Sequence, residues 1–288
     1  VRDVAESIGL NLLDHSRSAL LVDLDNDGDQ DLVVVLGKYV RFMSNDGAGQ
    51  FSERLMLGPT PATSLAAADY DGDGLLDVYI CAYGETPIPF HDANNGLANW
   101  LMRNEGQFKF KNVTAEVGLE ANNRRFGFAA AWEDYDNDGD QDLYVANDYG
   151  RNNLYRNDDG QFVDVAPEAG VEDIAAGMSV TWSDYNRDGQ MDVYVSNMFS
   201  SAGNRIAFQR NFRPLDSQDT KTVYQRHARG NTLFAGGPGG SYDDVSVAEA
   251  VTMGRWAWDS KFADINNDGW DDLLVANGYV TNEDSGDL

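Results

Sequence analysis

The pattern Asp-x-Asp/Asn-x-Asp-Gly-x-x-Asp occurs five times in this chain. The copies are DLDNDGDQD (23–31), DYDGDGLLD (69–77), DYDNDGDQD (134–142), DYNRDGQMD (184–192) and DINNDGWDD (264–272), and each runs directly into an apolar segment such as DLYVAN. One copy would constrain little, because Asp, Asn and Gly are ordinary turn formers. Five copies with oxygen-bearing side chains at the same positions mean that one supersecondary unit is used repeatedly.

The copies begin 46, 65, 50 and 80 residues apart, and the shortest interval suits a four-stranded propeller blade. Around each loop a longer unit recurs: a lead-in (VRDVAESIGL, FKNVTAEVGL, FVDVAPEAGV, YDDVSVAEAV), a strand, the aspartate loop, a second strand, and an exit (RFMSNDGAGQF, NWLMRNEGQFKF, NLYRNDDGQF, NTLFAGGPGGSY). Short strands rich in Val, Leu, Tyr and Phe between Gly/Asn/Asp turns predict an all-β repeat protein. A single small sheet cannot cover both its faces, whereas sheets stacked radially cover one another. The expected fold is therefore a β-propeller with five recognisable calcium-loop blades, read as one domain over 1–288 with loop insertions at 83–100 and 199–231. The fifth unit has no exit strand, which leaves two alternatives: the N-terminal segment completes it, or more blades follow in a larger ring. Helical turns are expected on either side of Pro214.

The loops match the needs of a hard divalent cation. Calcium takes about six to eight oxygens at roughly 2.3–2.6 Å, and alternate residues of a tight loop can point their oxygens inward. Positions 1, 3, 5 and 9 supply Asp23, Asp25, Asp27 and Asp31; Asp69, Asp71, Asp73 and Asp77; Asp134, Asp136, Asp138 and Asp142; Asp184, Asn186, Asp188 and Asp192; Asp264, Asn266, Asp268 and Asp272. Position 7 (Asp29, Leu75, Asp140, Gln190, Trp270) varies in chemistry, as expected if only its backbone carbonyl is used. An EF-hand would need Glu at position 12, where this chain has Val34, Ile80, Val145, Val195 and Val275. The ninth-position aspartate is expected to close each site as a bidentate ligand. About five Ca2+ sites follow, structural in role. The fourth and fifth should bind more weakly, since Asn replaces one carboxylate in each.

Charge supports this reading. The net charge is −27, and 21 of the 48 acidic side chains lie in the five loops. Such crowding needs counterions and argues against nucleic acid or an anionic membrane as partner of the surface as a whole. Cys81 is the only cysteine, so no internal disulfide forms, and its apolar surroundings predict a buried, inert thiol. No apolar run is long enough for membrane insertion as a span. Beginning at Val1 without methionine or signal peptide, the chain is expected to be a mature or excised portion of a longer product.

The repeated loop resembles that of the FG-GAP/VCBS repeat family, the calcium-loop propellers that include integrin α heads. The wording of LYRNDDGQFVDVAPEAGV, NMFSSAGNRIAFQ and RHARGNTLF is most similar to the cartilage-acidic-protein and ASPIC/UnbV group. The resemblance spans nearly the whole chain and implies a propeller with calcium on one rim, part of a ring of about seven blades. A clear Phe-Gly occurs once, at Phe126 and Gly127, so integrin-type ligand binding does not carry over.

Catalytic patterns are scarce: no GxSxG elbow, HExxH helix or phosphate-binding glycine fingerprint is present. His91 and His227 lie in the insertions, and with Arg226 and Arg229 they could line an acidic-sugar site. Trp132 and Trp182 sit in the same register before their loops and are expected to pack between blades. The leading expectation is a secreted, periplasmic or cell-surface module, non-catalytic, that binds a protein or glycan ligand in adhesion. The alternatives are a carbohydrate-active enzyme of the polysaccharide-lyase kind and a structural subunit of a surface layer or filament.

Overall fold

The computed structural model describes residues 3–89 and 92–278. Five consecutive antiparallel sheets follow the chain, the first four with four strands each. Sheet one holds β1 (Ser16–Val22), β2 (Asp31–Leu36), β3 (Tyr39–Asn45) and β4 (Phe51–Leu57); sheet two holds β5 (Ala62–Ala68), β6 (Asp77–Ala82), β7 (Trp100–Asn104) and β8 (Phe110–Asn112). Sheet three is β9 (Gly127–Glu133), β10 (Asp142–Asn147), β11 (Asn153–Asp158) and β12 (Gln161–Asp164); sheet four is β13 (Gly177–Ser183), β14 (Asp192–Asn197), β15 (Thr232–Gly237) and β16 (Ser241–Asp244). Sheet five, among the described residues, is β17 (Ala257–Ala263) with β18 (Asp272–Asn277). Each sheet is a simple meander, and the first strands of successive sheets lie against one another.

The apolar second strands explain the stacking. β2, β6, β10 and β14 are buried along their whole length. Because side chains alternate across a strand, each feeds two interfaces. In β6, Val78 and Ile80 join Val33, Val35 and Phe42 of sheet one, whereas Tyr79 and Cys81 join Leu143, Val145 and Tyr155 of sheet three. β10 repeats the device, with Tyr144 and Ala146 facing Val193, Val195 and Phe234 of sheet four. Each Val, Leu, Ile or Phe side chain among these contributes about 1.5–3 kcal/mol by leaving water. The expected placement of Trp132 and Trp182 holds: they meet Tyr79 and Tyr144 edge-on at 6.3 and 6.0 Å in these two interfaces. Burial pushes the Cys81 thiol up to about 12, which keeps it protonated and inert.

Of the two alternatives for the fifth unit, the N-terminal segment is placed elsewhere. It makes a short turn at Ala5–Ile8, and Leu10 and Leu12 then pack on Leu32, Val34 and Met43 of sheet one.

Two insertions leave the ends of second strands. Residues 83–99 join β6 to β7; within them, residues 90–91, including His91, lie outside the described residues. After α1 (Ala166–Ala169) between β12 and β13, the second insertion joins β14 to β15 and carries α2 (Ser201–Ala207) and α3 (Gln218–Arg229) on either side of Pro214. Ser200 and Ser217 cap these helices by accepting the amides of Gly203 and Thr220, satisfying otherwise orphaned donors. Since every aspartate loop starts a second strand and both insertions follow one, loops and insertions occupy opposite ends of the sheets.

Candidate metal centres

All five aspartate loops join the first strand of a sheet to its second, and all five share one hydrogen-bond network. Position 1 accepts two amides: Asp23 takes those of Asp27 and Gly28, Asp69 those of Asp73 and Gly74, Asp134 those of Asp138 and Gly139. Asp184 and Asp264 do the same for Asp188, Gly189, Asp268 and Gly269. Position 5 accepts the amide of position 7 in every copy. Position 6 turns at φ between +86° and +99°, a region where only glycine is unstrained.

The position-3 residue separates the loops into two groups. In the first three, one carboxylate oxygen (Oδ1) of Asp25, Asp71 and Asp136 is buried without a hydrogen-bond partner, as is Asp29 Oδ1. In the fourth and fifth, Asn186 Oδ1 and Asn266 Oδ1 accept the amides of Asp188 and Asp268. Burial, with the neighbouring carboxylates, raises the pKa of Asp25, Asp71 and Asp136. Carboxylate oxygens of Asp23, Asp25 and Asp27, of Asp69, Asp71 and Asp77, and of Asp134, Asp136 and Asp142 converge within 4.8 Å of one another. Buried, unpaired, like-charged oxygens in an all-oxygen set fit a hard divalent cation, which would satisfy both the orphaned acceptors and the repulsion. The residues at positions 1, 3, 5 and 9, with the position-7 carbonyl, would hold it.

The ninth-position aspartate has a role that sequence reasoning did not anticipate. It begins the second strand, and in the first four loops its two oxygens accept two backbone amides, whereas Asp272 takes that of Ile265. Asp77 takes the amides of Tyr70 (3.3 Å) and Asn104 (2.7 Å), Asp142 those of Tyr135 (3.1 Å) and Asn157 (2.7 Å), and Asp31 those of Leu24 and Asn45 (2.9 Å each). Asp192 takes Tyr185 and Gly236. The carboxylate thus ties the loop to the third strand of its own sheet, whatever it contributes to a cation. Burial pushes Asp77 up to about 7, Asp142 to about 8 and Asp192 to about 6, against the pull of these amide donors. Position 7 also uses its side chain: Asp140 accepts the Asp159 amide, and Trp270 stacks under the Arg187 guanidinium at 4.0 Å.

The opposite end carries a different carboxylate site. Fully buried Asp173 meets Arg226 at 3.1 Å and Asn197 at 2.9 Å, and Asp244 is bound by both Arg226 and Arg229. Burial alone would raise these two acids, yet the arginines and hydrogen-bond donors hold Asp173 below its ordinary value and Asp244 at about 2. Arg226 and Arg229, which the sequence left as solvated loop residues or as the lining of an acidic-sugar site, instead anchor α3 to the sheets. Nearby, the Tyr83 hydroxyl donates to nearly buried Asp148, whose pKa burial raises. A cavity of about 620 Å3 opens between the sheet-one turns and the first insertion, lined by Lys38, Pro59, Pro61, Glu85, Ile88 and Leu97 among others.

The family model of FG-GAP-like repeats matches residues 23–80 and 134–195. Each stretch contains two aspartate loops, the first with its whole second strand and the second with the start of its own, so the match covers the first four of the five loops. No curated protein matches the chain. Among solved structures, the biofilm matrix protein Bap1 of V. cholerae is similar at 14% identity and a TM-score of 0.40, covering 78% of this chain and 27% of that one. BBS1N, in its complex with ARL6DN, is similar at 12% identity and a TM-score of 0.40, covering 64% of this chain and 51% of that one. The chain thus spans about a quarter and about half of the lengths of these two. Likeness at that level is too low to carry a conclusion about fold or function. Among the described residues no helix is long and apolar enough to cross a membrane.

Proposed function

We propose that this chain is an arc of β-propeller blades stapled by calcium, acting outside the cytoplasm as a non-catalytic adhesion module that presents its inserted segments to a protein or glycan. The observation that carries the reading is the buried, unpartnered oxygen of Asp25, Asp71 and Asp136, repeated in three loops at one position. Leaving one such acceptor unsatisfied costs about 1–3 kcal/mol, more for a charged one, so a repeated motif that does so three times is built around something supplied from outside. Calcium suits the all-oxygen donor set, and millimolar calcium outside cells suits loops of this exposure. In this reading all five loops take the ion, the first three more tightly.

The adhesion role is supported by the placement of the two insertions. Both follow second strands, so both extend the end away from the loops, and the first borders the cavity of mixed polar and apolar lining. Metal would rigidify the sheets and leave that end free for a partner. Elemental analysis of calcium-resupplied protein, with melting curves before and after chelation, tests the metal. A glycan and protein binding screen with and without chelator tests the partner. Metal-free protein that melts at the same temperature as the resupplied protein would end the calcium reading, and binding to neither class would end the adhesion reading.

A further inference from the structure

We propose that Asn104 and Asn157 are positioning residues that link the first three aspartate loops into one coupled array, so that cations enter those loops cooperatively, while loops four and five form a separate unit. This deepens the reading of the loops as cation sites and rests on it.

A continuous line of buried hydrogen bonds carries the inference. Asp31 accepts the Leu24 amide at 2.9 Å, and the Leu24 carbonyl accepts the side-chain amide of Asn104 at 2.7 Å. The backbone amide of that same Asn104 donates to Asp77, the closing aspartate of the second loop, at 2.7 Å. Asp77 in turn accepts the Tyr70 amide, and the Tyr70 carbonyl accepts the side chain of Asn157 at 2.8 Å. The Asn157 amide then reaches Asp142 of the third loop at 2.7 Å. Asn104 and Asn157 are wholly buried, so neither bond competes with water. One residue therefore holds the second position of one loop with its side chain and the ninth position of the next with its backbone.

The line stops after the third loop for a chemical reason. The residue of sheet four that donates to Asp192 is Gly236, which has no side chain to extend to the preceding loop. Its place is also crowded, since a Cβ there would lie 2.5 Å from the Met191 carbonyl oxygen. Loops four and five are joined differently: Ser183 donates to Asp271 at 2.7 Å, and Arg187 lies over Trp270. A cation that draws in the position-1, -3 and -5 carboxylates of one loop also fixes the position-2 carbonyl between them. Through the asparagine it orients the closing aspartate of the next loop, lowering the ordering cost that remains there.

The test is amide hydrogen exchange of the full chain across a calcium titration, which yields a protection midpoint for each loop. In a variant with loop two disabled at its first and fifth positions (Asp69→Ala with Asp73→Ala), the midpoints of loops one and three should rise roughly five-fold or more, within the usual range of coupling between sites. Loops four and five should stay where they are. Disabling loop four (Asp184→Ala) should shift loop five and leave the first three unmoved. Asn157→Ala should separate the midpoint of loop three from those of one and two; if that variant does not fold, the loop-two variant decides alone. Unmoved midpoints in loops one and three, or equal shifts in all five, would overturn the coupling. Absence of calcium protection at any loop of the unaltered chain would instead overturn the cation reading beneath it.

Discussion

Two ends of this molecule bury carboxylates, and they solve the same electrostatic problem in opposite ways. At the insertion end, Asp173 and Asp244 face Arg226 and Arg229, so the chain supplies its own cations and both acids are held below their ordinary pKa. At the loop end, burial first and the neighbouring aspartates second raise the pKa of Asp25, Asp71 and Asp136, against a weaker pull from Arg54, Arg103 and Arg156. Arg103 reaches Asp71 at 3.2 Å from a half-exposed position, yet the second Asp71 oxygen stays unpartnered. Buried acidity by itself therefore does not point to a metal; the loop end differs in that one oxygen each of Asp25, Asp71 and Asp136 is buried with no hydrogen-bond partner.

The contrast can be broken by substitution. Arg226→Ala should have the largest effect, destabilising by roughly 3–5 kcal/mol, because it strands fully buried Asp173. The loss should be the same with calcium or chelator in denaturant titrations, and a loss that calcium abolishes would join the two ends into one system. Asp71→Asn and Asp136→Asn should reverse sign with conditions. In metal-stripped protein each removes a like-charge repulsion on the order of 1 kcal/mol and should raise the melting temperature. In calcium each should lower it, and a lower melting temperature in both states would refute the metal reading of position 3.

The pH profiles should sharpen the contrast further. Asp244 has a folded pKa of about 2 against an ordinary 3.8, so its contribution is complete above the ordinary value and fades as pH falls toward 2. The closing aspartates run the other way in metal-stripped protein. With folded values of about 7 and about 8, Asp77 and Asp142 favour the folded state below the ordinary value of 3.8, and that advantage is lost as pH rises to 7 or 8. Melting temperature of stripped protein should therefore fall from mildly acidic to neutral pH, and calcium should remove that fall, since it binds the ionised form. A stripped protein that gains stability from pH 5 to 8 would contradict the assignment. The smallest effect is expected for Arg187→Ala, which loses a stacking contact with half-exposed Trp270 worth about 0.5–1 kcal/mol and should alter tryptophan fluorescence more than melting.

Much of this was legible along the chain. The spacing of aspartates located all five loops, and Val, Leu and Tyr after each ninth position marked β2, β6, β10, β14 and β18. Pro214 marked helical segments on either side of it in the second insertion. These features are local: ligand alternation, strand period and a proline break each depend on residues a few positions apart, so the linear order records them directly.

Other features were decided only when sheets met. Nothing in RNEG or RNDD announces that Asn104 and Asn157 hold the carbonyls of Leu24 and Tyr70, 80 and 87 residues away. Nor does RHAR show that Arg226 will neutralise Asp173, 53 residues upstream, in place of greeting a ligand. The motif suggested the ninth aspartate as a bidentate closing ligand; packing adds a second task it did not announce, since the carboxylates of Asp77 and Asp142 also accept an amide from the third strand. Sequence sets which groups are available at each turn; which distant group arrives as partner depends on how alternate faces of the second strands stack, because burial selects for every polar atom the nearest donor or charge that the packed sheets bring to it.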